Sequence, residues 1–306
     1  MARILVTGSG GLIGYALKDL NLEDCFFATR VDADLTDYEE TKKLFSKVRP
    51  DIVIHLAAAV GGIGGNLIHS GEYFRNNTMM NLNVLELSRQ FNVTKVVSFM
   101  STCVFPAEAK YPLTVDQLHV GPPHQSNFGY AYAKRMLEVQ SSAYRKEFGC
   151  NFITLIPTNI YGPGDYWNLE EGHVIPSLIH KFYVARETSS DVYLWGSGNP
   201  LREFIYSYDL AKIILWSVES YEEVAPLIIS PSVEISIRDL ANSIALEMKF
   251  TGEIVWDLDK PDGQLRKPSS NAELLKFNPD ISFTSIEDGL KRTVEWFVTN
   301  YPNVRL

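Results

Sequence analysis

The clearest chemistry in this chain lies in a serine that follows a β-branched run and a tyrosine four residues ahead of a lysine. Ser101 comes directly after Val96-Val97-Ser98-Phe99-Met100, and Tyr130 and Lys134 would project from one face of a helix. A lysine and a cationic nicotinamide ring beside a tyrosine depress the phenol pKa, and a serine hydroxyl can hold the carbonyl that the phenol protonates, so the trio suits an alcohol–ketone redox reaction. Tyr132 competes for the role, but the residue four positions later is Met136, which leaves Tyr130 as the partnered tyrosine.

Such a reaction needs a hydride carrier, and the chain opens with a candidate site for one. Thr7-Gly8-Ser9-Gly10-Gly11-Leu12-Ile13-Gly14 spaces three glycines by three and three where a strand should turn into a helix. Gly8 would permit the tight turn, Gly11 the approach of phosphate oxygens and Gly14 close helix–strand packing, with the helix N-terminus supplying N–H donors. Arg30, not a carboxylate, follows the second strand, which favours the 2′-phosphate of NADP, although Asp32 and Asp34 stand close by. Asp34 and Leu35 suit the adenine edge, and Leu56-Ala57-Ala58-Ala59 offers small residues against which the cofactor can lie flat.

Short apolar runs alternate with helical patterns, and this positions these groups. Ile4–Thr7, Cys25–Thr29, Ile52–Leu56, Val96–Met100 and Phe152–Ile156 read as buried strands, and Tyr38–Val48, Thr78–Phe91 and Ala131–Phe148 as helices, the last ended by Gly149. That rhythm predicts an α/β fold with a doubly wound parallel sheet covered on both faces. Beyond Pro157 the pattern loosens into Gly- and Pro-containing loops, an isolated strand near Val192–Leu194 and helices such as Ile237–Met248. We therefore expect a cofactor domain over 1–157, to which later segments return, and a smaller α/β C-terminal domain over 158–306 for the substrate.

The composition fits a globular protein: 306 residues, 45% hydrophobic and 21% charged. Its net charge of −9 argues against nonspecific binding of nucleic acid or anionic membrane. No apolar run is long enough to cross a membrane, the opening residues leave no room for a signal peptide, and the cysteines, Cys25, Cys103 and Cys150, suit no disulfide framework, so a cytoplasmic location is expected. The six histidines show no clustered spacing, so no metal site is expected, and His119 and His124 read as loop residues.

With the glycine turn, Ser101, Tyr130 and Lys134 in this order, the chain resembles the extended short-chain dehydrogenase/reductases, which implies a Rossmann-type fold. Where the nucleotide-sugar dehydratases of that superfamily carry Thr-Asp-Glu, Thr102 and Cys103 replace the two acids, which disfavours dehydration. A thiol in a positively charged pocket could instead become a thiolate and remove a proton next to a ketone. Six segments extend the resemblance, over essentially the whole chain, to the GDP-L-fucose synthase family: Leu56–Ile63, Ser101-Thr102-Cys103, Asn127–Lys134, Pro157–Pro163, His173-Val174-Ile175-Pro176 and Trp195–Arg202.

The resemblance implies Cys103 as epimerisation base and His173 as proton donor, beside Ser101, Tyr130 and Lys134 for reduction. It also implies that Lys134, Pro157, Asn159, Ile160 and His173 touch NADPH, and that Asn159, Lys181, Trp195, Arg202, Asp262 and Lys267 hold a GDP-sugar. The expected activity is NADPH-dependent 3,5-epimerisation and 4-reduction of GDP-4-keto-6-deoxy-D-mannose by a homodimer. The dimer would pair the helices carrying Met79, Met80, Leu82, Leu85, Met136, Val139 and Tyr144. The rivals are another nucleotide-sugar 4-epimerase or reductase, which would not need Cys103 and His173, and a non-catalytic NADP-sensing regulator, which would not need the intact trio.

Overall fold

The computed structural model describes residues 2–260 and 262–306. In the first half, β1 (Ile4–Thr7), α1 (Leu12–Asp19), β2 (Cys25–Phe27), α2 (Tyr38–Val48), β3 (Ile52–His55), α3 (Ile63–Ile68), α4 (Ser70–Gln90), β4 (Lys95–Phe99), α5 (Phe128–Phe148) and β5 (Phe152–Pro157) follow one another. Then come β6 (Asn159–Tyr161), α6 (Val174–Thr188), β7 (Val192–Trp195), β8 (Leu201–Tyr206), α7 (Ser207–Ser220), β9 (Leu227–Ile229), β10 (Glu234–Ser236), α8 (Ile237–Glu247), β11 (Ile254–Asp257), α9 (Ala272–Phe277) and α10 (Ile286–Asn300).

The main sheet runs β2-β1-β3-β4-β5-β9 with every pairing parallel. Its strands alternate between two helix layers. Leu5, Val53, Val96 and Phe152 pack with Phe45, Leu85 and Leu137, whereas Val6, Ile54, Val97 and Ile153 pack with Leu17, Leu210 and Ile214. Each such side chain contributes about 1.5–3 kcal/mol relative to exposure, and a one-residue slip would turn every one of them to the opposite layer. β1 has β2 on one side and β3 on the other, so the chain reverses its course across the sheet there, and a crevice opens beyond the carboxyl ends of β1 and β3.

The later elements build a three-stranded sheet, β10-β8-β6, and a parallel pair, β11-β7, over a second core containing Trp167, Phe182, Phe204, Leu240, Leu290 and Phe297. β9 leaves this half and joins the main sheet beside β5.

Several element boundaries differ from the sequence expectation for local reasons. The strand expected to reach Thr29 ends at Phe27, because the Thr29 amide and hydroxyl turn back to Asp32 Oδ2 at 2.9 and 3.1 Å. α5 begins at Phe128, and its Gly129 lies so close to Ser70, at the start of α4, that any side chain would strike the Ser70 carbonyl. The strand near Val192–Leu194 is not isolated: it reaches Trp195 and pairs with β11, whose Ile254-Val255-Trp256-Asp257 was too short to stand out.

Candidate active site

The glycine turn sits at the crevice. Gly8 has φ +67°, and a Cβ there would lie 2.5 Å from the backbone of Ala57, so only glycine lets β1 turn against the loop after β3. Gly14 is pressed against the backbone of Ser9 rather than against the strand, so it closes the turn on itself. Above Gly10 a Cβ would meet nothing within 4 Å, and above Gly11 only the Gly8 carbonyl at 3.4 Å and Arg305 at 3.9 Å. Among the described residues no side chain caps α1, whose first turn begins with Leu12 and Ile13, and the buried Ser9 hydroxyl has no partner. Open space over two glycines, an uncapped helix N-terminus and an orphaned hydroxyl fit a dinucleotide pyrophosphate.

At the edge of the sheet the two acids near Arg30 are occupied. Asp32 binds Thr29, and Asp34 Oδ1 accepts from the Thr36 amide and hydroxyl at 2.9 and 2.8 Å, which hold its carboxyl below the usual range. Arg30 is exposed, and it and Arg75, a cation on α4 that the sequence did not single out, both draw Asp34 further down. Leu35 does not line a surface: its side chain is in the core, and its carbonyl accepts from Asn83 at 2.9 Å. In the loop Leu56-Ala57-Ala58-Ala59, Ala59 is clamped by Asn77, whose Oδ1 accepts from the Ala59 amide at 3.0 Å and whose Nδ2 donates to the Ala59 carbonyl at 2.7 Å.

Tyr130 and Lys134 lie in the first turns of α5, 7% and 2% exposed, with the ammonium 5.9 Å from the phenol ring centre, so they are no incidental surface pair. Ser101 precedes the short turn Thr102–Val104 after β4, and its side chain helps draw the Cys103 thiol down. Cys103 is near enough to Tyr130 and Lys134 to influence both, so the redox trio and the thiol share one pocket.

Burial dominates the titrations in that pocket. Burial pushes the Tyr130 phenol up, with Cys103 adding to the effect, and it pushes the Cys103 thiol up against the pull of Lys267, Ser101 and Lys134. Lys134 is brought down to about 8 by the same desolvation. At each of the three groups the cost of burying the charged form is the largest influence.

Beneath Lys134 lies a network that the sequence reading missed. The fully buried His55 is held to about 3 by desolvation and then by Lys134. Its Nε2 lies 3.1 Å from Asn81 Oδ1, which can only accept, so Nδ1 accepts from the Thr7 hydroxyl at 2.8 Å. Asn81 in turn donates to the Ala133 carbonyl at 3.4 Å, which ties the helix of Tyr130 and Lys134 to β1 and β3. Asn77 and Asn81, four apart on α4, were the available signal.

The other residues expected at the site lie in the second half of the chain. Pro157 ends β5, and Thr158 follows with a buried hydroxyl that has no partner. Asn159 and Ile160 lie in β6, where Asn159 Nδ2 donates to the Glu203 carbonyl at 2.8 Å. His173 is exposed at the N-terminus of α6 and close enough to the buried Asp165 to influence its carboxyl, which burial raises to about 6. Lys181 is half-buried on the same helix.

The segment after Pro261 joins three of the expected substrate residues. Both oxygens of Asp262 accept from Ser197, from its amide at 2.8 Å and its hydroxyl at 2.6 Å, so its carboxylate braces the turn after Trp195 instead of facing open space. Gly263 then passes Arg202, whose Nη2 would lie 3.3 Å from a Cβ there, and Lys267 ends beside Cys103. Trp195 itself is 72% exposed, with the Lys260 ammonium 5.6 Å from its ring centre. Glu203, absent from the sequence reading, is buried and held up to about 7, and its Oε2 accepts from the Ser269 amide at 3.0 Å.

The chain matches the model of the NAD dependent epimerase/dehydratase family over residues 4–229. It is 46% identical to the GDP-L-fucose synthase of Dictyostelium discoideum over 99% of this chain and 97% of that protein. A GDP-L-fucose synthetase crystal structure from Naegleria fowleri superposes with a TM-score of 0.95 at 41% identity, covering 100% of this chain and 96% of the other. A structure of that protein bound to NADP gives 0.93 at 41%, with the same coverage.

Proposed function

Because this chain belongs to the NAD dependent epimerase/dehydratase family, and within it to the GDP-L-fucose synthases, we propose that it is an NADPH-dependent 3,5-epimerase and 4-reductase that converts GDP-4-keto-6-deoxy-D-mannose to GDP-L-fucose. The observation that carries the reading is the single pocket in which Cys103 adjoins Ser101 and acts electrostatically on Tyr130 and Lys134. Both activities act around one ketone: it acidifies the neighbouring C–H bonds for inversion and later becomes the alcohol.

In this reading Cys103 takes the proton from C3 or C5, and His173 returns one from the opposite face. Lys267 and Lys134 oppose the cost of making a buried thiolate, so Lys267 serves the base as well as the substrate. Ser101 holds the C4 carbonyl, and Tyr130 delivers the proton to its oxygen while Lys134 keeps that proton mobile. NADPH, when bound, supplies the hydride to C4. Gly8, Ser9, Gly10, Gly11, Leu12, Ile13 and Gly14 would hold its pyrophosphate, and Arg30 its 2′-phosphate.

Arg202 and Lys267 would balance the diphosphate of the GDP-sugar, with Lys181, Asn159 and Trp195 around it and Asp262 acting through the Ser197 turn. The division of labour would fall between residues 1–157 for the cofactor, with β9 added, and mainly 158–306 for the substrate. Two further statements belong to the proposal. Met79, Leu82, Met136 and Val139 are each more than a third exposed while Met80 and Leu85 are buried, which supports a homodimer formed through the outer faces of α4 and α5. Among the described residues no helix is long and apolar enough to cross a membrane, and the three free cysteines support a reducing compartment such as the cytoplasm.

The test is product analysis after incubation with GDP-4-keto-6-deoxy-D-mannose and NADPH in D2O. GDP-L-fucose carrying deuterium at C3 and C5, with stoichiometric loss of nicotinamide absorbance, is expected. Reduction without deuterium at either carbon would reduce the reading to a plain 4-reductase.

A further inference from the structure

The proposed pyrophosphate site lacks a charge. A pyrophosphate is an anion, the protein carries a net charge of −9, and the turn from Gly8 to Gly14 contains no lysine or arginine. Arg30 lies beyond β2, at the adenosine end, Lys267 acts on Cys103, and Arg202 lies near enough to Lys267 to influence it. None of the residues proposed above brings a cation to the glycine turn itself.

Arg305 stands there. Its Nη1 donates to the Gly10 carbonyl at 3.1 Å and would lie 3.9 Å from a Cβ on Gly11, the residue that opens α1. The arginine is held in place at both ends. Its own carbonyl accepts from the Trp167 amide at 2.8 Å, and its guanidinium carbon lies 5.5 Å from the centre of the Tyr166 ring. Among the described residues it makes no ion pair within 4 Å.

The acid that feels its charge is Asp165, which is 2% exposed; one oxygen accepts from the Tyr166 amide at 2.7 Å and the other has no hydrogen-bond partner among the described residues. One bond to Gly10 leaves most of the planar fork's five N–H donors free, beside open space over Gly10.

We propose that Arg305 is a dinucleotide-binding residue that sets its guanidinium on the cofactor's pyrophosphate and supplies the positive charge that the glycine turn lacks. The proposal rests on the reading of that turn as the dinucleotide site. Arg305 is thus a cation brought from a remote part of the sequence to the first βα turn, and it also couples the loop that leads to His173 to the cofactor.

The test is a fluorescence titration of the whole protein with NADPH and with NADH, which share the pyrophosphate and differ in the 2′-phosphate. Arg305→Gln keeps a donor for Gly10 and removes the charge. It should weaken both dinucleotides by the same factor, about tenfold, the size expected for one lost charge-assisted hydrogen bond. An unchanged Kd would overturn the proposal, and so would a loss confined to NADPH, which would place the charge on the 2′-phosphate. If Arg305→Gln lowers the melting temperature of the ligand-free protein, Arg305→Lys decides: retained affinity supports the charge, and a loss equal to that of Arg305→Gln overturns it. Wild-type protein that binds neither dinucleotide would sink the reading of the turn instead.

Discussion

The buried imidazole beneath Lys134 makes a quantitative prediction. His55 ordinarily titrates at 6.5 and is held to about 3 in the folded protein, first by desolvation and then by Lys134. Its folded pKa lies below its unfolded one, so between these values the unfolded chain binds the extra proton. The stability that the neutral imidazole contributes is therefore present above about pH 6.5 and is lost as the pH falls toward about 3. Integrated from about pH 8 to about pH 5, the loss is about 2 kcal/mol. Urea unfolding at the two pH values gives the total change, to which other groups contribute. The His55→Gln variant isolates the imidazole, because the pH-dependent loss should shrink by about 2 kcal/mol whatever the variant's own stability. Equal losses in variant and wild type would refute the assignment of His55 as a neutral, desolvated strut.

Other consequences test the site. Cys103→Ser should abolish deuterium exchange at C3 and C5 while NADPH binding and some C4 reduction persist; undiminished exchange at both carbons would remove the thiol from the mechanism. Arg30→Ala should erode the preference for NADPH by weakening NADPH alone, and equal kcat/KM for the two cofactors in the wild type would contradict the role of Arg30. Glu203 titrates at about 7 instead of its ordinary 4.5, mainly through desolvation, so its carboxyl costs the fold stability as the pH rises through that window. Glu203→Gln should accordingly flatten a fall in urea stability between about pH 5 and about pH 7, and an unaltered slope would show that the group is ordinary. Light scattering at micromolar concentration should give twice the 34.5 kDa chain mass, and a single-chain mass with NADPH present would exclude the dimer.

What could be read from the sequence was local. β1 and α2 begin and end where the residue patterns place them, and α5 ends at Gly149, because a β-branched run, an Asp37 cap accepting from Glu40 and a glycine at φ +70° act within a few residues of themselves. The order Ser101, Tyr130, Lys134 was legible for the same reason: strand end and helix spacing dictate it. Met79 and Met80 are equally apolar in sequence, and only packing sends one outward and the other into the core. Thr29 reads as strand by its β-branching, yet Asp32, three residues later, offers a competing partner that ends the strand.

The missed residues share a different property. His55, Glu203 and Arg305 acquire their behaviour from partners far away in sequence: Thr7 and Asn81 for the first, Ser269 for the second, Gly10 for the third. Taken singly, an imidazole in a strand or a carboxyl next to an arginine carries no sign of its surroundings, since desolvation is a property of the assembled interior and not of neighbouring residues. The same property governs the two central titrations. Lysines near Tyr130 and Cys103 were visible, but the removal of water around both groups was not: at Cys103 burial outweighs the cations, and at Tyr130 burial raises the phenol with Cys103 adding to it. At Tyr130 the raised pKa keeps the phenol protonated, the form that delivers a proton to the C4 oxygen, so only Cys103 must ionise against burial, with Lys267 and Lys134 pulling the other way. A bound ketone polarised by Ser101 and Lys134 acidifies the C3 and C5 protons that Cys103 removes, so exchange at both carbons should respond to the same substitutions at Lys134 and Ser101 that slow reduction.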